Sequence, residues 1–101
     1  MDLRRGDVVR SLAGHDKGSL FCVVSTEGDF LLLVNGKERK LNSPKRKRVK
    51  HVQRAGTSDH PVFLRLRVGE TVGDNELRKA LAAFRDETTV KEGMTLWQRT
   101  I

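Results

Sequence analysis

The chain has no tyrosine, one tryptophan, four phenylalanines and a single cysteine, Cys22. Without tyrosine there is little from which to build an aromatic cage or a proline-reading groove, and most of the few rings fall at apolar strand or helix positions. Stacking of successive bases on exposed rings is therefore not the expected mode of any nucleic-acid binding. One cysteine cannot close an intramolecular disulfide, and Cys22 lies inside Leu20 to Val24, where a small buried hydrophobe would serve. Long apolar runs are missing too. The longest are only five residues, as in Leu20 to Val24 and Phe30 to Val34, and fall far short of the roughly 20 residues of a membrane span, and the first residues, Met1-Asp2-Leu3-Arg4-Arg5-Gly6-Asp7, hold no apolar signal core. A cytoplasmic chain with no membrane partner is the expectation. The three histidines and the cysteine lack metal-ligand spacing, so neither metal nor other cofactor is expected. No nucleophile, base and orienter converge in the sequence; His15-Asp16 near Ser11 or Ser19 is the nearest approach, and the chain reads as non-enzymatic.

What is present is positive charge, and it is concentrated. The 101 residues carry a net charge of +7, with 33% charged and 37% hydrophobic side chains, which allows one modest core and a very polar remainder. Residues 1–36 hold 4 basic and 5 acidic side chains, residues 37–54 hold 9 and 1, and residues 55–101 hold 7 and 7. The whole excess thus sits in one window, the footprint of a site for a polyanion.

Punctuation along the chain outlines short strands. Gly6 to Leu12 begins a β-rich stretch that ends in the loop Ala13-Gly14-His15-Asp16-Lys17-Gly18-Ser19. Leu20 to Ser25 and Phe30 to Val34, joined by Glu27-Gly28-Asp29, are bounded by glycine turns and nearly continuously apolar, as strands covered on both faces would be. Asn35-Gly36 predicts a tight type I′ turn leading into a fourth strand over Lys37 to Leu41. Asn42-Ser43-Pro44 breaks that ladder, and Val49 with Val52 anchor a fifth strand or turn. Such spacing suits a small antiparallel SH3-like or OB-like barrel, the SH3-like size being favoured.

Arg54-Ala55-Gly56-Thr57-Ser58-Asp59 marks a boundary between a basic barrel, residues 1–54, and a charge-balanced linker and extension, residues 55–101. Val62, Leu64, Leu66 and Val68 alternate as in a strand, while Phe63 with Leu66 would suit a helix, and both readings stand. Asp74 is expected to cap a helix over about 74–85 whose Leu77, Ala80, Leu81 and Phe84 form one apolar stripe. That stripe would pack on the barrel or dock a protein partner. Residues 87–101, with Trp97, show no clear period.

Gly6-Asp7-Val8-Val9-Arg10-Ser11, Ala13-Gly14-His15-Asp16-Lys17-Gly18 and Phe21-Cys22-Val23-Val24 together resemble the KOW motif, with Gly18 at its key glycine. Val34-Asn35-Gly36-Lys37-Glu38-Arg39-Lys40-Leu41 and Pro44-Lys45-Arg46-Lys47-Arg48-Val49-Lys50-His51-Val52-Gln53 extend the likeness. In this the chain resembles bacterial KOW-domain RNA-binding proteins related to large-subunit ribosomal proteins of archaea and eukaryotes, over about residues 4–86. The resemblance implies a mainly β fold, a small SH3-like (KOW) antiparallel β-barrel with a C-terminal extension containing one α-helix. It also implies RNA as partner but no particular cellular task; the expectation drawn here is contact with structured or ribosomal RNA, in association with translation or the ribosome.

On this reading the RNA-binding residues are Lys17, Gly18, Lys37, Arg39, Lys40, Lys45, Arg46, Lys47, Arg48, Lys50 and His51. Arginines fork onto phosphate oxygens or base edges, lysines act as flexible point charges, and the Gly14 to Gly18 loop would offer backbone N–H groups to a phosphate. On a true strand, however, Arg46 and Arg48 would face away from Lys45 and Lys47. The alternative is a protein-interaction module in which Pro44-Lys45-Arg46-Lys47-Arg48-Val49 docks an acidic partner or an import receptor. A basic run that is only a solvated face is the bland reading, and the mutual repulsion of nine cations counts against it.

Overall fold

A computed structural model describes residues 2–56 and 58–100, with side chains through Thr88. Five antiparallel strands form one sheet and two helices follow: β1 (Val8–Ser11), β2 (Leu20–Glu27), β3 (Phe30–Val34), β4 (Lys45–Arg48), a 3-10 turn (Val49–His51), β5 (Val52–Gly56), α1 (Pro61–Arg67) and α2 (Asp74–Thr100). The strand order is β4-β3-β2-β1-β5, so the basic strand β4 lies at one edge. Register shifts between Val23 and Ser25 on β2, and between Val8 and Val9 on β1, add the local twist that bends a sheet.

Nearly continuous apolar strands are explained by a sheet buried on both faces. Val9, Phe21, Val23, Leu31, Leu33 and Val52 form one cluster, with Leu3 and Val49 packed against it. Their neighbours Val8, Cys22 and Val34 point the other way and join Val62, Phe63, Leu66, Leu77, Ala80, Leu81 and Phe84 of the helices. The apolar stripe of α2 therefore packs on the sheet. Complete burial of a side chain the size of Leu77 or Phe63 stabilises by about 1.5–3 kcal/mol. Asp7, buried at the start of β1, pins the same junction. Its carboxylate accepts from Arg67 of α1 at 2.8 Å and lies 3.5 Å from the Arg54 guanidinium of β5.

Three local expectations change and one open choice is decided. Lys37 to Leu41 is not a strand, because the Asn35 side chain diverts the backbone: its Oδ1 accepts from the N–H groups of Lys37 and Arg39, at 2.9 and 3.0 Å, and the result is a wider turn. Residues 45–48 pair with β3 instead. Residues 61–67 take the helical option: Pro61 occupies the first turn, His60 Nδ1 accepts from the Val62 N–H, and Val62, Phe63 and Leu66 are buried while Leu64 and Val68 are exposed. Asp74 does not cap α2. It begins the helix and accepts from the Leu41 N–H at 2.8 Å, while the Glu76 carboxylate accepts from the Gly73 N–H, the N3 half of a capping box. Finally, α2 runs to Thr100, beyond the expected end near residue 85. The Trp97 side chain lies outside the described residues.

Candidate nucleic-acid interface

The basic window is built on β4 and its pleat. In register with β3, Arg48 opposes Phe30, Lys47 opposes Leu31, Arg46 opposes Leu32 and Lys45 opposes Leu33. Successive side chains of a strand point to opposite faces, so Lys45 and Lys47 turn toward the inner side with Leu31 and Leu33. Arg46 and Arg48 turn outward with Phe30.

The inward pair is committed to one carboxylate. Lys47, 8% exposed, donates from Nζ to Asp16 Oδ1 at 2.9 Å and to the Ala13 carbonyl at 2.7 Å. Lys45 donates to Asp16 Oδ2, and Ser11 Oγ donates to Asp16 Oδ1 at 2.7 Å. Burial alone would raise the Asp16 pKa, but the hydrogen bonds from Lys45, Ser11 and Lys47 outweigh it and hold the carboxyl well below the usual carboxylate range. Two cations are thereby used to clamp the 13–19 loop onto β4. Lys45 and Lys47, expected to face a phosphate, are instead held against Asp16, and Asp16 is engaged with lysines and Ser11 rather than with His15 in any relay.

The outward pair is available. The Arg46 guanidinium carbon sits 3.6 Å from the Phe30 ring centroid and that of Arg48 sits 5.0 Å from it. These cation–π contacts hold both guanidinium groups near the ring without neutralising them. Arg46 also lies 3.6 Å from Glu27, but both side chains are half exposed and such a pair contributes little. Lys50 is exposed on the 3-10 turn, where His51 is half-buried and gives its carbonyl to the Leu12 N–H. Lys37, Arg39 and Lys40 are exposed on the turn after β3; Lys37 meets Glu38 only at 4.0 Å in solvent. Arg54, the ninth basic residue of the window, is held by Asp7 and the Asp2 carbonyl. Three of the nine cations therefore serve the fold and six face solvent.

The 13–19 loop is less generous than expected. Gly18 adopts φ +90°, as a loop glycine can, but the N–H groups of Lys17, Gly18 and Ser19 donate to the carbonyls of Gly14, Ser11 and Asp16. They are not free for a phosphate. Lys17 keeps an exposed ammonium.

Sequence reasoning missed two features. Phe30, part of an apolar strand by its pattern, is the platform under Arg46 and Arg48. Arg78 and Arg85, from the charge-balanced part of the chain, join Arg10 and Lys37 in a groove beside Gly18 and Leu81. Their seven-residue spacing, two turns of one helix face, was the available signal.

Cys22 offers no nucleophile: burial and the nearby Asp7 charge push its thiol up to about 12. Among the described residues no group of three His, Cys, Asp or Glu side chains could hold a metal ion, and no helix is long and apolar enough to cross a membrane. Compared with protein-family models and with curated proteins, the chain gives no match.

Proposed function

We propose that this chain is a non-enzymatic, cytoplasmic RNA-binding module of the SH3-like, KOW type, which contacts structured RNA, ribosomal RNA above all, and works in association with translation. The observation that carries this reading is the division of labour within the basic window. Lys37, Arg39, Lys40, Arg46, Arg48 and Lys50 are exposed after Asp7 and Asp16 have taken their partners. A solvated face with no ligand would keep these six cations close together at an electrostatic cost and gain nothing from it. Five antiparallel strands with a single 3-10 turn before the last strand support the barrel assignment. The resemblance of the 13–19 loop and the Pro44 to Gln53 stretch to KOW proteins supports RNA as the polyanion.

The import-signal alternative loses support from the same geometry. Such a peptide must be read in extended form, whereas residues 45–48 are paired to β3 and two of their four side chains are bound to Asp16.

Binding would be driven by phosphate contacts and release of counterions, with a salt slope of about −0.7 to −0.9 per contact. If about five cations reach phosphates, a fourfold rise in salt weakens binding on the order of a hundredfold. The test is binding of a labelled structured ribosomal RNA fragment and of matched double-stranded DNA across a salt series. Salt-steep binding that favours the RNA is expected; equal or salt-insensitive binding to the two would contradict the reading.

A further inference from the structure

Next to Arg48 the surface opens into a groove of about 710 Å³, within the range of small-ligand pockets, roughly 300–1,000 Å³. Leu12, Val49 and Val52 give it apolar walls, and Leu12 is unusual in being a large hydrophobic side chain left 44% exposed there. Asp29, Lys50 and Gln53 complete it, with Arg48 shared between the groove and the Phe30 platform. Neither the Asp29 carboxylate nor the Lys50 ammonium has a hydrogen-bond or ion-pair partner among the described residues. Apolar walls, a free acceptor and two cations at the rim are an arrangement that phosphate binding alone does not require.

We infer that this groove holds one unpaired RNA base, extruded from a bulge or loop, while Arg48 and Lys50 take the phosphates beside it. The inference rests on the RNA-binding reading and specifies its ligand. An unpaired base needs a flat contact on its face and a polar contact on its edge. The chain has few rings to offer, but an arginine plane serves for stacking, and the Arg48 guanidinium carbon lies over Phe30, 5.0 Å from the ring centroid. Leu12 and Val49 provide the opposing apolar contact. Asp29 supplies an acceptor-only edge, since an ionised carboxylate accepts through both oxygens and donates nothing. That selects bases with donors on the Watson–Crick edge and favours guanine, which presents adjacent N1–H and N2–H donors, over uracil, which presents a single N3–H between two carbonyls.

The test uses RNA hairpins of one stem sequence: fully paired, with a single bulged guanosine, and with a single bulged uridine. Each is titrated with the wild-type chain and with Asp29→Asn and Leu12→Ser, both at exposed positions, whose folding is checked by circular dichroism. The bulged guanosine is expected to improve binding on the order of tenfold over the paired stem, a gain typical of one stacked base. Because docking a base releases no further counterions, the ratio should hold as salt rises while every affinity falls. Asp29→Asn should erase the preference for guanosine over uridine, and Leu12→Ser should reduce the advantage of any bulge. Equal binding of all three hairpins by the wild type would overturn the base pocket and leave phosphate-directed RNA binding standing. Absence of binding to every hairpin would overturn both.

Discussion

The two faces of β4 carry the same charge and do different work. Lys45 and Lys47 turn inward and are consumed by Asp16, whereas Arg46 and Arg48, one residue away in each case, turn outward and rest on Phe30. A count of basic residues cannot distinguish these pairs; the pleat does. The lesson extends to the whole window, because a cation paired to a carboxylate strengthens the scaffold while an exposed one stays free to meet a ligand.

The sharpest way to break this comparison is to remove one member of each face. Lys47→Ala leaves the partly buried Asp16 with fewer donors and the Ala13 carbonyl without its partner. Urea denaturation should show a loss of about 3 kcal/mol, the low end of the cost of breaking a buried pair from one side, because Lys45 and Ser11 still hold Asp16. If stability is unchanged, the inward lysine is not structural.

Gly36→Ala ranks next. Gly36 adopts φ +77°, and an added Cβ would overlap the Asp74 carbonyl where the turn meets α2. A destabilisation of about 2–3 kcal/mol is expected from strain and crowding together. Gly18→Ala should cost less, since nothing lies within 4 Å of its Cβ position. Equal effects would mean that the turn is not fixed against the helix.

Acid should separate the faces more gently. The folded-state pKa of Asp16 lies below its unfolded value, so the unfolded chain takes up the proton first. The stability this residue contributes is fully present above about pH 4 and is lost as the pH falls through the folded value. A loss on the order of 2 kcal/mol in acid is expected from urea midpoints measured down the pH scale, and Asp16→Asn should remove that component of the pH dependence. The smallest effect on stability belongs to the outward pair. Arg46→Ala with Arg48→Ala should change it by less than about 1 kcal/mol per residue, the size of an exposed cation–π contact.

Much of this was legible in the sequence. The runs of β2 and β3 between glycine turns read as strands covered on both faces, and the stripe Leu77, Ala80, Leu81 and Phe84 read as a packed helix face. The alternation of side chains along 45–48 was legible too, once those residues are a strand. What misled was local chemistry that overrides short-range patterns. Asn35-Gly36 is a strong hairpin signal, but the Asn35 amide oxygen captured two backbone N–H groups and moved the next strand downstream. Val62, Leu64, Leu66 and Val68 alternate, yet Pro61 and His60 start a helix that buries Phe63 instead. The partners of Asp7 and Asp16 were not legible, because Arg67 lies 60 residues from the first and Lys47 lies 31 from the second. Only the fold brings them together.

The most direct measurement is the salt dependence of binding to a structured ribosomal RNA fragment, for the wild type and for Arg46→Ala/Arg48→Ala/Lys50→Ala. If these outward cations are phosphate contacts, the slope of log affinity against log salt should fall by about 2–3 while the variant unfolds with nearly wild-type stability. An unchanged slope would contradict the assignment of this face as the RNA-binding surface.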